Sequence, residues 1–142
     1  VTERTRETGR RQSRRVALVL LYQHDVTPER PLDELYARYR SDAKQEVPAY
    51  ADELVQGVLE DTGRLDVLIG EHAHGWTVDR ISPIERAALR IAVLELAEHA
   101  DVPASVAIDE AVRLSKRYAS PEAGVFVNGV LGGVARALGV GH

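Results

Sequence analysis

Residues 82–99 read SPIERAALRIAVLELAEH, and this stretch decides the fold. Ser82 suits an N-cap, and Pro83 lacks the amide that a first helical turn would leave unpaired. Glu85, three residues after the serine, offers a carboxylate to complete a capping box. From Ile84 onward apolar residues cover most of the helix circumference, interrupted only by Arg86, Arg90, Glu95 and Glu98. A helix that is apolar on nearly every side must be surrounded by neighbours. The pattern therefore predicts a central core helix with other helices packed around it.

The flanking sequence supplies those neighbours. Asp101-Val102-Pro103 ends the core helix, and a sixth helix runs from about Ser105 to Tyr118 with Ala107, Ala111, Leu114 and Tyr118 on one stripe. Ser120-Pro121 opens a last helix whose apolar face is Val127, Val130, Leu131, Val134 and Leu138. Gly129, Gly132 and Gly133 fall inside it, where each costs about 1 kcal/mol relative to Ala; close packing at Gly129 would explain one, and spacing gives no reason for the pair. Towards the N-terminus, a short fourth helix carries Leu65, Leu68 and Ile69 and stops near Gly75. Pro48 opens a third helix with Ala51, Leu54, Val55, Val58 and Leu59 on one face, and Pro31 opens a second with Leu32, Leu35, Tyr36 and Tyr39. The first runs from Arg10 to about Val26, where Thr27-Pro28 ends it, because the residue before proline is pushed out of the helical region. Nothing alternates with period two for long enough to form a strand. The expectation is an all-α fold of about seven helices, forming a single domain over residues 10–142. Residues 1–9, VTERTRETG, lack apolar periodicity and are expected to be a disordered basic tail.

Charge divides unevenly along the chain. The first fifteen residues hold six arginines against Glu3 and Glu7, a net of +4, so a total of −4 leaves −8 on the rest. An acidic body does not adhere to polyanions indiscriminately, so any nucleic-acid contact should be local. The 142 residues include no cysteine, which excludes disulfides, thiolate metal sites and thiol nucleophiles. No run of about eighteen apolar residues suggests a membrane span, and the basic start leads into no cleavage site, so a cytoplasmic location is expected.

Enzymatic chemistry finds little support. There is no glycine-rich phosphate loop, no HExxH and no nucleophile elbow, and no cofactor is implied. His72 and His74 point to different sides of a helix and lack further ligands nearby, so they read as helix-end histidines and no metal site is expected. The adjacent carboxylates Asp52-Glu53, Glu60-Asp61 and Asp109-Glu110 read as solvated surface.

The stretch RRQSRRVALVLLY, Arg10 to Tyr22, has more to say. Arg10 and Arg14 stand four apart, as do Arg11 and Arg15, so two rows of guanidinium groups run along one helix end. Guanidinium forks suit phosphate oxygens, and the positive end of the helix dipole adds to the attraction. Arginines alone give affinity without base choice; recognition of single-stranded RNA needs aromatic or polar groups beside them. Phe126, in GVFVNGVL, is either a core residue or an exposed stacking platform.

These stretches together resemble the NusB-type transcription antitermination factors. The resemblance is carried by Arg10–Tyr22, by ERAALRIAVLEL (Glu85–Leu96), by DVPASVAIDEAVRLSKRY (Asp101–Tyr118) and by FVNGVL (Phe126–Leu131). It is dense over residues 82–131, and rests on helix pattern alone over residues 27–80. It implies a non-catalytic, all-helical RNA-binding protein, built as two three-helix subdomains around a long N-terminal helix. The implied ligand is the single-stranded boxA element of ribosomal RNA leaders. The implied partners are NusE, a small-subunit ribosomal protein, and the transcription elongation complex. Carried over by position, Arg10, Arg11 and Arg14 match the family's RNA-contacting arginines, with Arg15 an extra charge beside them. Tyr22 and Glu85 match positions near the joint RNA and partner surface, and Phe126 an RNA-facing aromatic. Val125 and Gly132-Gly133 replace polar residues common in the family. Whether the free protein is a monomer or a homodimer stays open. A ribosomal RNA cytosine methyltransferase that carries the same helical domain would need a Rossmann-like part, and this sequence contains none. The remaining alternative is a helical interaction or oligomerisation module without specific RNA binding.

Overall fold

The helix over Pro83–Glu98, here α4, packs against four others, and a computed structural model describes residues 3–141 around it. The six α-helices are α1 (Glu3–Val26), α2 (Leu32–Ala43), α3 (Ala49–His72), α4, α5 (Ala104–Tyr118) and α6 (Pro121–Leu138), with one 3-10 turn at Val78–Arg80. α4 touches α1, α3, α5 and α6, while α2 lies chiefly on α1. Ala87, Ala88, Leu89 and Ile91 through Leu96 are all buried, as a helix apolar on every side requires. The core is continuous from Val16 in α1 to Ala135 in α6.

Three expectations need correction. First, α1 begins at Glu3, so residues 3–9 are helical and not a disordered tail; Val1 and Thr2 lie outside the described residues. Glu and Arg are good helix formers, and a helix already anchored by its buried half extends at little cost through residues of that kind. Second, the expected third and fourth helices are one element, bent at Asp61 (φ −125°, ψ 17°). Asp61 and Gly63 favour helix weakly, and the Thr62 hydroxyl donates to the Val58 carbonyl at 2.7 Å, a back-bond that bends helices; with no proline there, nothing separates the two halves. Six α-helices thus replace the expected seven. Third, Ser82 makes no side-chain cap: its hydroxyl donates to Glu85 Oε1 at 3.0 Å. Ser120 does cap α6, accepting from the Ala123 amide at 3.1 Å.

The glycine pair in α6 is half explained. A Cβ on Gly133 would lie 2.7 Å from His72 Nδ1, so Gly133 lets the end of α3 pack directly on α6. Gly129, expected to serve close packing, instead faces open space.

Candidate nucleic-acid interface

The arginine end of α1 separates into two groups with different roles. Arg14 and Glu95 are each 1% exposed, and Arg14 Nε donates to Glu95 Oε1 and Oε2 at 3.1 and 3.0 Å. Its Nη1 donates to Glu7 at 2.7 Å. Tyr50, in the first turn of α3, donates its hydroxyl to the same Glu95 carboxylate and stands 3.0 Å from His99 Nδ1. Burial, then the neighbouring Glu95 charge and the bond to it, pushes the Tyr50 hydroxyl up, so it donates as a neutral phenol. Burial alone would lower Arg14, but the Glu95 charge and the bonds to Glu7 and Glu95 outweigh it and raise the guanidinium above its usual value. Arg14 is therefore a buried cation that ties α1 to α4, and the expectation that it contacts RNA is corrected. Its position shows why: Arg14, Leu18 and Leu21 follow the i, i+4, i+7 spacing of the core-facing strip.

Arg11 and Arg15 lie about 60° and 100° around the helix from Arg14. Arg11 is 61% exposed, with Nε donating to Glu110 Oε1 at 3.0 Å, and Arg15 is half-buried with no salt-bridge partner among the described residues. Glu110, expected to be solvated, is buried between Arg11 and Arg113. Burial would raise its carboxyl, but the hydrogen bond and charge of Arg113, with Arg11, hold it below the usual range. Arg10 flanks Arg14 on the side away from Arg11 and Arg15: its guanidinium lies 4.7 Å from the centroid of the Tyr50 ring and donates to the exposed Asp101 at 2.7 Å. That bond holds the Asp101 carboxyl below its ordinary value.

Arg11, Arg15 and Tyr22, separated by four and then seven residues, share one strip of α1 about 16 Å long at 1.5 Å per residue. Three residues after Tyr22, Asp25 accepts from Arg86 Nε and Nη2 at 2.9 and 2.7 Å, which fixes the last turn of α1 beside the first turn of α4. Glu85 and Phe126 then line a common recess with Trp76, Arg80, Ser120 and Glu122. Phe126 is half-buried, packed against the core and lining the recess.

The model of the NusB family matches residues 11–136. The chain belongs to the NusB family. NusB-family members are transcription antitermination factors, regulators without an enzymatic activity, and this chain is one of them. The transcription antitermination protein NusB of Desulfovibrio desulfuricans is 39% identical over 140 residues, covering 91% of this chain and 85% of that one. That of Frankia casuarinae is 44% identical over 107 residues, covering 75% and 79%. Among solved structures, one of antitermination factors NusB and NusE in complex with double-stranded RNA superposes with a TM-score of 0.82 at 29% identity, covering 92% of this chain and 98% of that one.

The structure places Arg11, Arg15, Tyr22, Glu85 and Phe126 on exposed or half-buried surface, and Glu95, Tyr50 and Trp76 are not among the residues the sequence analysis nominates. Glu95 was detectable, because Ala88, Ile91, Ala92 and Glu95 share the core strip of α4 and a charge there needs a buried partner. Trp76 was visible only as a lone tryptophan in a connection, and its neighbours come from α4 and α6.

Among the described residues no helix is long and apolar enough to cross a membrane. His72 stands in the last turn of α3 against Gly133, and among the described residues no three His, Asp or Glu side chains converge as metal ligands.

Proposed function

We propose that this NusB-family chain binds the boxA segment of ribosomal RNA leaders as a single strand, together with NusE, and that the assembly acts on the transcription elongation complex. The observation that carries this reading is the α1 strip Arg11–Arg15–Tyr22, exposed at Arg11 and half-buried at Arg15 and Tyr22, on a helix whose last turn is bonded to the first turn of α4, which contributes Glu85 to the recess with Phe126. Phosphates meet Arg10, Arg11 and Arg15 at one end. Bases meet aromatic and carboxylate groups at the other. The net charge of −8 beyond residue 15 confines the contact to this face. Membership of the family, and a structurally similar NusB solved with NusE and RNA, support the same partners. The RNA in that complex is double-stranded; a recess that takes aromatic contacts favours unpaired bases, because bases in a duplex are already stacked.

Binding of a fluorescently labelled boxA oligoribonucleotide, with scrambled and duplex controls and with or without NusE, tests the proposal. Tighter binding of single-stranded boxA than of either control is expected, tightened further by NusE. Three phosphate contacts predict a log–log salt slope of about −2 on single strands. Equal binding of boxA and scrambled RNA would reduce the strip to a non-specific basic face.

A further inference from the structure

The connection between α3 and α4 places a second aromatic group opposite the start of α6. Gly75, at φ +87°, turns the chain in the left-handed region that side-chain-bearing residues avoid, and Trp76 follows it at 53% exposure. Arg86 holds the rest of the connection, its Nη1 donating to the carbonyls of Val78, Asp79 and Ile81 at 3.3, 3.2 and 2.8 Å. The result is a recess of about 370 Å³ lined by Trp76, Arg80, Glu85, Glu122 and Phe126. Among the described residues the rings of Trp76 and Phe126 do not stack on each other, and both line the recess. Its volume lies near the lower end of ligand pockets, the size for one flat group and not for a helix or strand.

We propose that this recess is a nucleobase clamp in which Trp76, and not Phe126 alone, stacks on an unpaired base of the bound RNA. The inference rests on the RNA reading above and adds Trp76 and Arg80 to it. Glu85 has one carboxylate oxygen engaged by Ser82 and one without a partner among the described residues, and Glu122 is exposed. Both are acceptors, which suit the exocyclic amino group of adenine, cytosine or guanine and find no such donor on uracil. Arg80 is exposed, has no salt-bridge partner among the described residues, and supplies a cation for the adjoining phosphate. The pairing of aromatic faces with a cation at the rim is the arrangement that single-strand binders use.

Trp76 is the only tryptophan in the chain, so its emission reports on the recess without any label on the protein. The full chain is titrated with a fluorescein-labelled single-stranded boxA oligoribonucleotide to read anisotropy, and with the unlabelled RNA to read Trp76 emission. The expected result is saturable quenching with the same midpoint as the anisotropy rise. Trp76→Ala should weaken RNA about 5- to 150-fold, the equivalent of the 1–3 kcal/mol that one base–aromatic stack contributes, and Trp76→Phe should restore most of it. An oligouridine of the same length should quench less. Equal quenching by oligouridine would overturn the assignment of Glu85 and Glu122 as readers of the amino edge. An anisotropy rise without quenching, or quenching by NusE alone, would overturn the clamp while leaving the RNA reading standing. Absence of any anisotropy rise would refute the RNA reading and the clamp with it.

Discussion

Replacing Arg14 by Ala separates a structural arginine from an RNA-contacting one. The guanidinium is 1% exposed and makes three hydrogen bonds, two to the equally buried Glu95 and one to Glu7. Without it, Glu95 keeps a buried carboxylate with only the Tyr50 hydroxyl as donor. Removing one partner of a buried pair costs about 3–5 kcal/mol, a large part of the roughly 5–15 kcal/mol that holds a domain folded. For a chain of this size each kcal/mol moves the melting temperature by about 3–4 °C, so Arg14→Ala should melt roughly 10–20 °C lower. Thermal unfolding followed by far-ultraviolet circular dichroism measures the shift. The double replacement Arg14→Met with Glu95→Leu removes both charges at similar volume and should recover most of the loss. Where Arg14→Ala is still folded, its salt slope for RNA should match the parent's, since no phosphate contact is lost. An unchanged melting temperature with a shallower salt slope would refute the burial argument and return Arg14 to the RNA-contacting set.

The remaining expectations concern the face, the glycines and acid. Arg11→Ala and Arg15→Ala should each flatten the single-strand salt slope by about 0.7 while changing stability by no more than about 0.5 kcal/mol, as paired salt titrations and melts would show. Gly133→Ala brings a Cβ within 2.7 Å of His72 Nδ1 and should destabilise by about 1–3 kcal/mol, whereas Gly129→Ala meets nothing within 4 Å and should stabilise by about 0.5–1 kcal/mol in denaturant titrations. Glu110 has its carboxyl held below the ordinary value of 4.5, so its contribution is present above that pH and is lost as the pH falls through the lowered folded value. Glu110→Gln should therefore shrink the stability difference between neutral and acid solution, measured as the change in denaturation midpoint with pH.

The architecture was legible because α4 declares itself: no surface helix carries Ala87 through Val93 with a single arginine between them. Helix ends at Thr27-Pro28, Pro48 and Ser120-Pro121 were legible for the same local reasons, fixed φ and missing amides. The kink at Asp61 was not, because weak helix formers bend a helix or end it depending on what packs against them. The candidate site was legible by charge and misassigned by depth. Arg11 and Arg14 have the same chemistry and lie three residues apart, yet one faces solvent and the other Glu95. Reading each charge against the apolar strip of its own helix places Arg14, Glu95 and Glu110 inward together, since Ala107, Glu110, Ala111 and Leu114 repeat the same spacing in α5. Trp76 lay beyond any such rule, because its recess is built from three separate parts of the chain.

The face itself is tested most directly by mapping amide chemical-shift changes on the isotope-labelled chain as single-stranded boxA RNA is added. The expected changes cluster at Arg11, Arg15, Tyr22, Trp76, Glu85 and Phe126, with the bent middle of α3 around Asp61 and Gly63 unmoved. Changes centred on that middle of α3, with the α1 strip and the recess silent, would contradict the account.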